Sequence, residues 1–329
     1  MKVSLVKESR RGEKRALLLP QEVSELSRLC EFQVEESTGC GLGISDYEYI
    51  NAGATIVDHI SAWSSADLIL KLKCPTIDEI KSMQDYNSIA ALLHAEVAPD
   101  LVDVLLQKRI TAYSFEYFRD ENNSFPLMAA TGELSGQQAI IYAAYHLQSH
   151  LDGSGRSFAS CSTMNGARVA VLGFGHVGKA ATKLALSLGA EVILFRWSDD
   201  NYSEIEFYGH VLRCFPWRIS EARKIIPNCD VVIGAIRIST FDTPVFIEKE
   251  TVKKMREGSV IVDVTAGYGS GYIETSSETT TLSEPYCIVC GVKHIKIREL
   301  PLGIHHTAAK QISAIYTPYI KKMICALRS

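Results

Sequence analysis

The sequence lacks any segment that would carry the protein into or across a membrane. No stretch of its 329 residues approaches the ~20 consecutive apolar residues of a transmembrane helix. The N-terminus, Met-Lys-Val-Ser-Leu-Val-Lys-Glu, is interrupted by charges, whereas a secretory signal peptide needs a continuous apolar segment. We therefore expect a soluble, cytoplasmic protein with no membrane partner.

The sequence also lacks the basic excess of proteins that bind nucleic acids. Lysine and arginine total 34 against 38 for aspartate and glutamate, which gives a formal net charge of −4, so we expect no nucleic-acid partner. The composition, 47% hydrophobic and 22% charged, is that of a folded globular protein and argues against a disordered chain. At about 150 residues per domain, the length favours two domains.

A second C-x-x-C pair is missing as well. Of the nine cysteines, only Cys287 and Cys290 stand at that spacing, and a zinc ribbon requires two such pairs. An odd number of cysteines without a framework spacing is typical of reduced thiols in an intracellular protein. We therefore predict neither a metal site nor a disulfide framework.

What the sequence does contain is an alternation of short apolar strands with helical segments, which is typical of α/β architecture with mostly parallel sheets. The first set of predicted strands is Lys2–Val6, Phe32–Glu35, Leu68–Leu72, Ser88–Leu93 and Thr111–Ser114. A long helix is predicted over Thr131–His150, before a turn-rich break at Asp152-Gly-Ser-Gly. The second set of predicted strands is Arg168–Leu172, Glu191–Arg196, Asp230–Ala235 and Ser259–Val264.

A final helical segment, Thr307–Leu327, follows the second alternation. We expect it to return to the first domain, which would make that domain discontinuous. The predicted fold is therefore α/β, with two Rossmann-like, doubly wound domains and a cleft between them. The predicted boundaries are 1–128 with 299–329 for the first domain, and 129–298 for an inserted dinucleotide-binding domain.

The strongest motif is Gly173-x-Gly175-x-x-Gly178, because it follows an apolar strand and opens a helical run. Gly173 would permit the tight turn, Gly175 the approach of a pyrophosphate, and Gly178 close packing of the helix on the strand. The first helical residues, His176 and Val177, are predicted to join the cofactor site, where the helix N-terminus stabilises phosphate charge. A glycine-rich turn without a ligand remains the alternative.

The strand after the fingerprint ends at Arg196 and not at the acidic residue that usually binds the ribose of NAD. Arginine offers a charge-assisted partner for a 2′-phosphate, and Ser198 could add a hydrogen bond. We therefore predict that NADP(H) is preferred over NAD(H). The alternative is that Arg196 is solvated and that the acid comes later, at Asp199 or Asp200.

Ionisable residues follow the predicted strands of the first domain. Lys71 and Lys73 end one apolar run and His94 ends the next, at the strand ends where open α/β sheets bind ligands. A lysine can hold a carboxylate and a histidine can exchange protons near neutral pH. Arg15, just after the first strand, could grip a substrate carboxylate with two hydrogen bonds. The alternatives are solvated surface cations and a histidine that caps the core.

Seven segments, in order along nearly the whole chain, carry a family resemblance. They are Lys7–Pro20, Gly39–Ala54, Ala66–Pro75, Leu93–His94, Gly173–Gly178, Asp230–Ala235 and Gly258–Val264. In kind and position they resemble the alanine dehydrogenase and transhydrogenase N-terminal family. The resemblance implies that Arg15 binds the substrate carboxylate, that Lys73 binds the substrate and assists catalysis, and that His94 is the acid/base. It also implies a substrate-binding role for the first domain and a cofactor contact at Ala235.

Two departures from the family pattern bear on the reaction. Alanine dehydrogenases carry an aspartate a few residues beyond the Val-Asp-Val strand, where this chain has Gly267, and His306 replaces the usual arginine of the C-terminal segment. Together with Arg196, these departures resemble the N5-(carboxyethyl)ornithine synthase branch. Saccharopine dehydrogenases are similar in principle, since they keep a lysine and histidine pair and act on a secondary amine.

The expected activity is that of an NADPH-dependent oxidoreductase acting on a C–N bond. It would join a pyruvate-like 2-oxo acid to the amine of an amino acid by reducing an imine. Two alternatives stay open: a simple amino-acid dehydrogenase of the alanine type that uses ammonia, and a non-catalytic nucleotide-binding module. The expected partners are these small molecules, and we expect a homo-oligomer.

Overall fold

A computed structural model of the chain describes residues 1–196, 202–236, 244–265 and 271–328. The chain forms two compact units. Unit 1 comprises Met1–Thr131 with Leu302–Ser329, and unit 2 comprises Gly132–Pro301. The first unit is thus discontinuous, and the second is inserted between its two parts.

Unit 1 begins with strands that alternate with short helices. Its strands are β1 (Lys2–Leu5), β2 (Glu31–Glu35), β3 (Thr55–Val57), β4 (Leu68–Leu70), β5 (Ser88–Ala91) and β6 (Thr111–Ser114). Its helices in this part are α1 (Pro20–Leu26), α2 (Asp46–Asn51), α3 (His59–Ser64), α4 (Ile77–Ser82), α5 (Pro99–Gln107) and the start of α6 (Pro126–His146). Local sequence fixes several helix starts, as at α4, where Thr76 and Glu79 form a reciprocal capping box.

The six strands of unit 1 form one parallel sheet in the order β3-β2-β1-β4-β5-β6. The chain winds outward from β1 to β3 and then returns to the other side of β1, so the strand order reverses between β1 and β4. This is the doubly wound arrangement, in which ligands bind at the carboxyl ends of the strands on either side of the reversal. The reversal therefore marks where to look for a site in this unit.

Unit 2 contains the second set of strands and helices. The strands are β7 (Arg168–Leu172), β8 (Glu191–Arg196), β9 (Ser203–Phe207), β10 (His210–Pro216), β11 (Val231–Gly234), β12 (Val260–Asp263), β13 (Cys287–Val289) and β14 (Val292–Ile295). The helices are α7 (His176–Ser187), α8 (Ile219–Ile225) and α9 (Lys249–Val252). The chain then enters α10 (His305–Arg328), which belongs to unit 1.

The sheet of unit 2 has the order β13-β14-β12-β11-β7-β8-β10-β9. The six inner strands are parallel, and only β9 and β13, at the two edges, run antiparallel to their neighbours. The order reverses between β7 and β11, so this sheet is doubly wound as well. The predicted fold class, two Rossmann-like α/β domains with the first discontinuous, is confirmed.

Helix α10 completes the core of unit 1. Ile312, Tyr316 and Ile320 are buried in the same apolar cluster as Val3 and Leu5 of β1. Its length, 24 residues, does not make it a membrane helix, and no helix within the described ranges is both long and apolar enough to span a bilayer. The C-terminal helix therefore serves the packing of the N-terminal sheet.

Several elements differ from the sequence-based expectation. The long helix over Thr131–His150 begins earlier, at Pro126, and ends at His146, because proline is favoured in the first turn of a helix. Strand β3 and two hairpins, β9–β10 and β13–β14, were not predicted. The hairpin turns use residues with positive φ, such as Cys290 at 57° and Gly291 at 75°. Cysteine is not typical of the first position of such a turn, which favours asparagine or aspartate, so the sequence does not indicate this hairpin. All nine cysteines are free thiols, six of them at least partly buried.

Candidate functional site

The reversal of strand order in unit 1 is lined with ionisable side chains. Glu8 follows β1, Lys71 and Lys73 follow β4, and His94 follows β5. Because β1, β4 and β5 are adjacent and parallel, these residues meet at one edge of the sheet. Two of the three residues predicted to bind and convert the substrate, Lys73 and His94, thus lie at the strand ends where this fold class binds ligands.

Glu8 ties the end of β1 to the segment that carries Lys73. Its Oε1 accepts a hydrogen bond from the backbone N–H of Leu72 at 2.7 Å, and its Oε2 accepts one from that of Lys73 at 3.2 Å. The Nζ of Lys71 lies 3.8 Å from Oε2, and the Glu8 side chain is only 3% exposed. Burial raises the pKa of Glu8 to about 7, although Lys71 and the Leu72 amide act to lower it. Glu8 is therefore a carboxyl group that titrates near neutral pH.

The two lysines after β4 have different surroundings. The Lys71 ammonium donates to the carbonyl of Lys7 at 3.1 Å and to Glu79 Oε1 at 3.3 Å, and it lies 5.7 Å from the centroid of the Trp63 ring. Through these contacts, the Lys71 ammonium stabilises the fold of unit 1. Lys73 is also buried, with 6% of its surface exposed, and its backbone is held by Glu8. The backbone contact with Glu8 therefore fixes the position of Lys73, the predicted substrate-binding cation, just after β4.

His94 has a strained backbone and a buried carboxylate partner. Its φ of 49° lies in the left-handed region, which is uncommon for a residue other than glycine and is found more often at functional sites. Glu116 Oε1 accepts a hydrogen bond from the His94 backbone N–H at 2.7 Å and lies 3.4 Å from its Nδ1. Ser114 Oγ donates to the other oxygen of Glu116. A carboxylate beside Nδ1 favours a proton on that nitrogen and directs Nε2 to other partners.

Arg15 is tightly paired with a neighbouring acid. Its Nε and Nη2 donate to the two oxygens of Glu13 at 2.7 and 2.6 Å, and both side chains are almost completely buried. While this pair is intact, those two donors are not available to a substrate carboxylate. The predicted role of Arg15 thus involves a guanidinium already oriented by Glu13.

Three functional candidates in unit 1 were missed by the sequence reasoning: Glu8, Glu13 and Glu116. Each is a buried acid that contacts one of the predicted residues or its backbone. The signal for them was indirect, since a buried cation or histidine requires a polar partner. Glu8 and Glu13 stand in the same segment as Arg15, and Glu116 lies two residues beyond β6.

In unit 2 the glycines of the fingerprint form the turn between β7 and α7. Gly173 has a φ of +98°, and a Cβ there would lie 2.8 Å from the carbonyl oxygen of Ala235. A Cβ on Gly178 would lie 2.0 Å from the carbonyl oxygen of Gly173. Both positions therefore require glycine for steric reasons. These contacts also bring Ala235, at the end of β11, beside the fingerprint.

Gly175 differs from the other two glycines because its surroundings are open. A Cβ on Gly175 would meet no atom within 4 Å, and the residue is exposed at the N-terminus of α7. His176, the first residue of α7, is likewise exposed, and Val177 is half-buried. Free space above backbone N–H groups at a helix N-terminus suits a phosphate group. The residues of this turn thus fit the pyrophosphate of a dinucleotide.

Arg196 is the last residue of β8 and is half-buried. Within the described ranges it forms no ion pair with a carboxylate. Its guanidinium is therefore not committed to an acid in this part of the chain. The predicted contact at Ser198, the alternative acids Asp199 and Asp200, and Gly267 all lie outside the described residues.

Comparison with known proteins gives a consistent result over the whole chain. Residues 4–135 match the family model described as alanine dehydrogenase/PNT, N-terminal domain, and residues 139–328 match the model of the C-terminal domain. Alanine dehydrogenase of Bacillus subtilis (strain 168) is 30% identical over 325 residues, which cover 97% of this chain and 84% of that protein. Alanine dehydrogenase of Halomonas elongata is 29% identical over 324 residues, or 97% of this chain and 86% of that protein.

Solved structures agree with these matches. An L-alanine dehydrogenase has a TM-score of 0.85 at 28% identity, covering 98% of this chain and 90% of that one. A transhydrogenase from Sinorhizobium meliloti has a TM-score of 0.79 at 22% identity, covering 98% of this chain and 94% of that one, and shows the shared fold. The resemblance inferred from the sequence is thereby confirmed. The chain belongs to the alanine dehydrogenase/PNT family.

Proposed function

We propose that the protein is an amino-acid dehydrogenase that interconverts a 2-amino acid with a 2-oxo acid and ammonia, using a nicotinamide cofactor. The observation that carries the proposal is the meeting of Lys73 and the His94–Glu116 pair at the strand-order reversal of unit 1. The relatives named alanine dehydrogenase support this reaction over the condensation expected from the sequence departures. In the direction of synthesis, the oxo acid, ammonia, a proton and the reduced cofactor give the amino acid, water and the oxidised cofactor.

The residues of unit 1 would bind the substrate and move its protons. The Lys73 ammonium would hold the carbonyl oxygen or carboxylate of the oxo acid, with Arg15, oriented by Glu13, as a further cation for the carboxylate. His94 would donate a proton as water leaves the carbinolamine formed from the oxo acid and ammonia. Glu116 would keep the imidazole oriented and stabilise its protonated form, as a buried carboxylate does for a catalytic histidine.

The residues of unit 2 would hold the cofactor. When bound, the nicotinamide supplies the hydride that reduces the imine carbon. The backbone around Gly175 would bind the pyrophosphate, together with His176 and Val177 at the start of α7, and Ala235 would line the neighbouring strand end. We further propose that Arg196 binds a 2′-phosphate, so that NADP(H) is preferred over NAD(H), because it ends β8 at the position where an acidic residue usually binds the ribose of NAD.

The experiment that tests this proposal follows the absorbance of the reduced cofactor in the purified protein. Pyruvate and other 2-oxo acids are each added with ammonium, once with NADPH and once with NADH. We expect ammonium-dependent oxidation of the cofactor, faster with NADPH at low concentration, and the reverse reaction with the matching amino acid. Absence of turnover with every oxo acid, despite cofactor binding, would favour a non-catalytic nucleotide-binding module.

A second candidate is the reductive condensation of a 2-oxo acid with the amine of an amino acid. The observation in its favour is the pair of sequence departures, Gly267 in place of an aspartate and His306 in place of an arginine. His306 is exposed near the start of α10, with its ring centroid 4.5 Å from that of His305. Replacing ammonium by ornithine or lysine in the same assay separates the two reactions. Oxidation of the cofactor only with these amines would favour condensation.

A further inference from the structure

A buried polar network lies at the carboxyl ends of β11, β12 and β14 in unit 2, and no step above uses it. We call it the strand-end network; its members are Asp263, Thr265, Tyr272, Ser276 and Lys296. Asp263 and Lys296 form its centre, with Nζ 3.1 Å from Oδ2 and at most 3% of either side chain exposed. The register explains this pairing, since Val262 is opposite Ile295 and Asp263 and Lys296 are the next residues along β12 and after β14.

The remaining contacts satisfy both charges of this ion pair. Ser276 Oγ donates to Asp263 Oδ2 at 3.1 Å, and the Lys296 ammonium donates to the carbonyl of Ser276 at 2.6 Å. The backbone N–H of Thr265 donates to Asp263 Oδ1 at 3.1 Å, and its hydroxyl donates to the same oxygen. Such a network binds the end of β12 to the chain segment that returns after it.

Tyr272 extends the network to β11. Its hydroxyl donates to Thr265 Oγ1 at 3.2 Å and accepts a hydrogen bond from the backbone N–H of Ile236 at 3.5 Å. It also packs so closely on Gly234 that a Cβ there would lie 2.6 Å from the hydroxyl oxygen. The end of β11, Gly234–Ile236, thus lies close to both Tyr272 and Gly173 of the fingerprint.

The strand-end network lies on the side of the sheet where the nicotinamide half of a dinucleotide is expected. In a doubly wound sheet, a dinucleotide lies across the strand-order reversal, with one mononucleotide half on each side. The fingerprint and Arg196 are on the β7–β8 side, where the adenosine half is expected. The nicotinamide half is therefore expected on the β11–β12 side, where the strand-end network lies.

Stability alone does not account for the network. A buried ion pair contributes little net stability, because the desolvation of two charges offsets their attraction, and apolar residues of similar volume are often as good. The best-supported role of a buried ion pair is to fix one conformation of the elements that it joins. We propose that the strand-end network positions the ends of β11 and β12 for the nicotinamide half of the cofactor, with Tyr272 and Lys296 as positioning residues; this inference rests on the proposed cofactor binding.

The test compares each dinucleotide with a matching fragment that shares its adenosine half. The dinucleotides NADPH and NADH are titrated against the protein by calorimetry, beside 2′-phospho-ADP-ribose and ADP-ribose, which lack the nicotinamide. The double variant Asp263→Asn/Lys296→Met removes both charges together and leaves neither one buried alone. We expect the Kd of the dinucleotide to rise about tenfold in the double variant while that of the matching fragment stays within about twofold.

A milder variant and a matched control complete the experiment. Tyr272→Phe deletes only the hydroxyl that joins β11 to β12, and we expect about a threefold rise in Kd for the dinucleotide alone. Tyr49→Phe is the control, because it removes another buried tyrosine hydroxyl, bonded to the carbonyl of Leu18 in unit 1; both ligands should bind it as they bind the wild type.

Unchanged Kd values for both ligands in the double variant would overturn the inference. Equal weakening of both ligands would overturn it as well, because the network would then not act on the nicotinamide half in particular. If the wild type binds neither dinucleotide nor fragment, the proposed cofactor role itself fails, and this outcome is distinct from the other two.

Discussion

The carboxyl group of Glu8 offers a sharp test of the site in unit 1. The change is Glu8→Gln, which keeps the size of the side chain and one acceptor oxygen but cannot ionise. Burial raises the pKa of Glu8 from 4.5 to about 7 in the folded protein. The folded state therefore retains a proton that the unfolded state releases, and the contribution of Glu8 to stability falls as the pH rises through this interval.

The size of the effect follows from the two pKa values. A difference of about 2.5 units, at ~1.4 kcal/mol per unit, gives a limit of about 3 kcal/mol. Below pH 4.5 the Glu8 carboxyl is neutral in both states, so wild type and Glu8→Gln should differ little in their pH dependence. Between pH 4.5 and 8 the wild type should lose up to about 3 kcal/mol relative to the variant.

The assay is unfolding in urea at a series of pH values, with amide hydrogen exchange of peptides from unit 1 to separate the two units. Glu121→Gln, at an exposed position of the same unit, is the matched control and should keep the wild-type profile. Parallel stability curves for wild type and Glu8→Gln from pH 4.5 to 8 would refute the raised pKa. Faster exchange of the Leu72 or the Lys73 amide in the variant would separately report the loss of one of the two acceptor oxygens.

The remaining predictions concern other sites. Glu116→Gln should lower turnover about tenfold or more, because a neutral amide stabilises a protonated His94 less well than a carboxylate does. A fluorescence titration should show unchanged cofactor affinity, and normal turnover would contradict this role of Glu116. Arg196→Asp should shift kcat/KM toward NADH by about tenfold or more, and an unchanged ratio of NADPH to NADH would contradict the 2′-phosphate site. Burial lowers the pKa of His146 to about 4, with a smaller effect from Lys293, so the wild type should lose stability as the pH falls from about 6.5 to 4. His146→Phe should lack this loss in urea titrations, and a wild-type acid profile in the variant would disprove it.

Much of the fold could be predicted because its central strands are short apolar runs with clear ends. The run of β7 into Gly173 is of this kind, and so is that of β5 into His94. The edge strands β9 and β13 escaped prediction because they are partly exposed, and their residues are mixed in character. An edge strand is defined by the partner it pairs with, which the local pattern does not contain.

The site shows the same division between local and distant information. Lys73 and His94 could be predicted from their positions at strand ends, which are local features. Glu8 and Glu116 could not be assigned, because their roles depend on burial and on contacts 65 and 22 residues away in the sequence. The ion pair of Asp263 and Lys296 is similar, since neither residue reveals in the sequence that the other lies opposite it.

The discontinuity of unit 1 has a consequence for the order in which the chain folds during synthesis. Unit 2 is continuous from Gly132 to Pro301, so all its strands are synthesised before α10. The core of unit 1 is incomplete until α10 is synthesised, because Ile312, Tyr316 and Ile320 belong to it. The nascent chain therefore exposes the apolar surface around β1 until α10 emerges, and removal of α10 would leave the Lys73 and His94 site in a unit with an incomplete core.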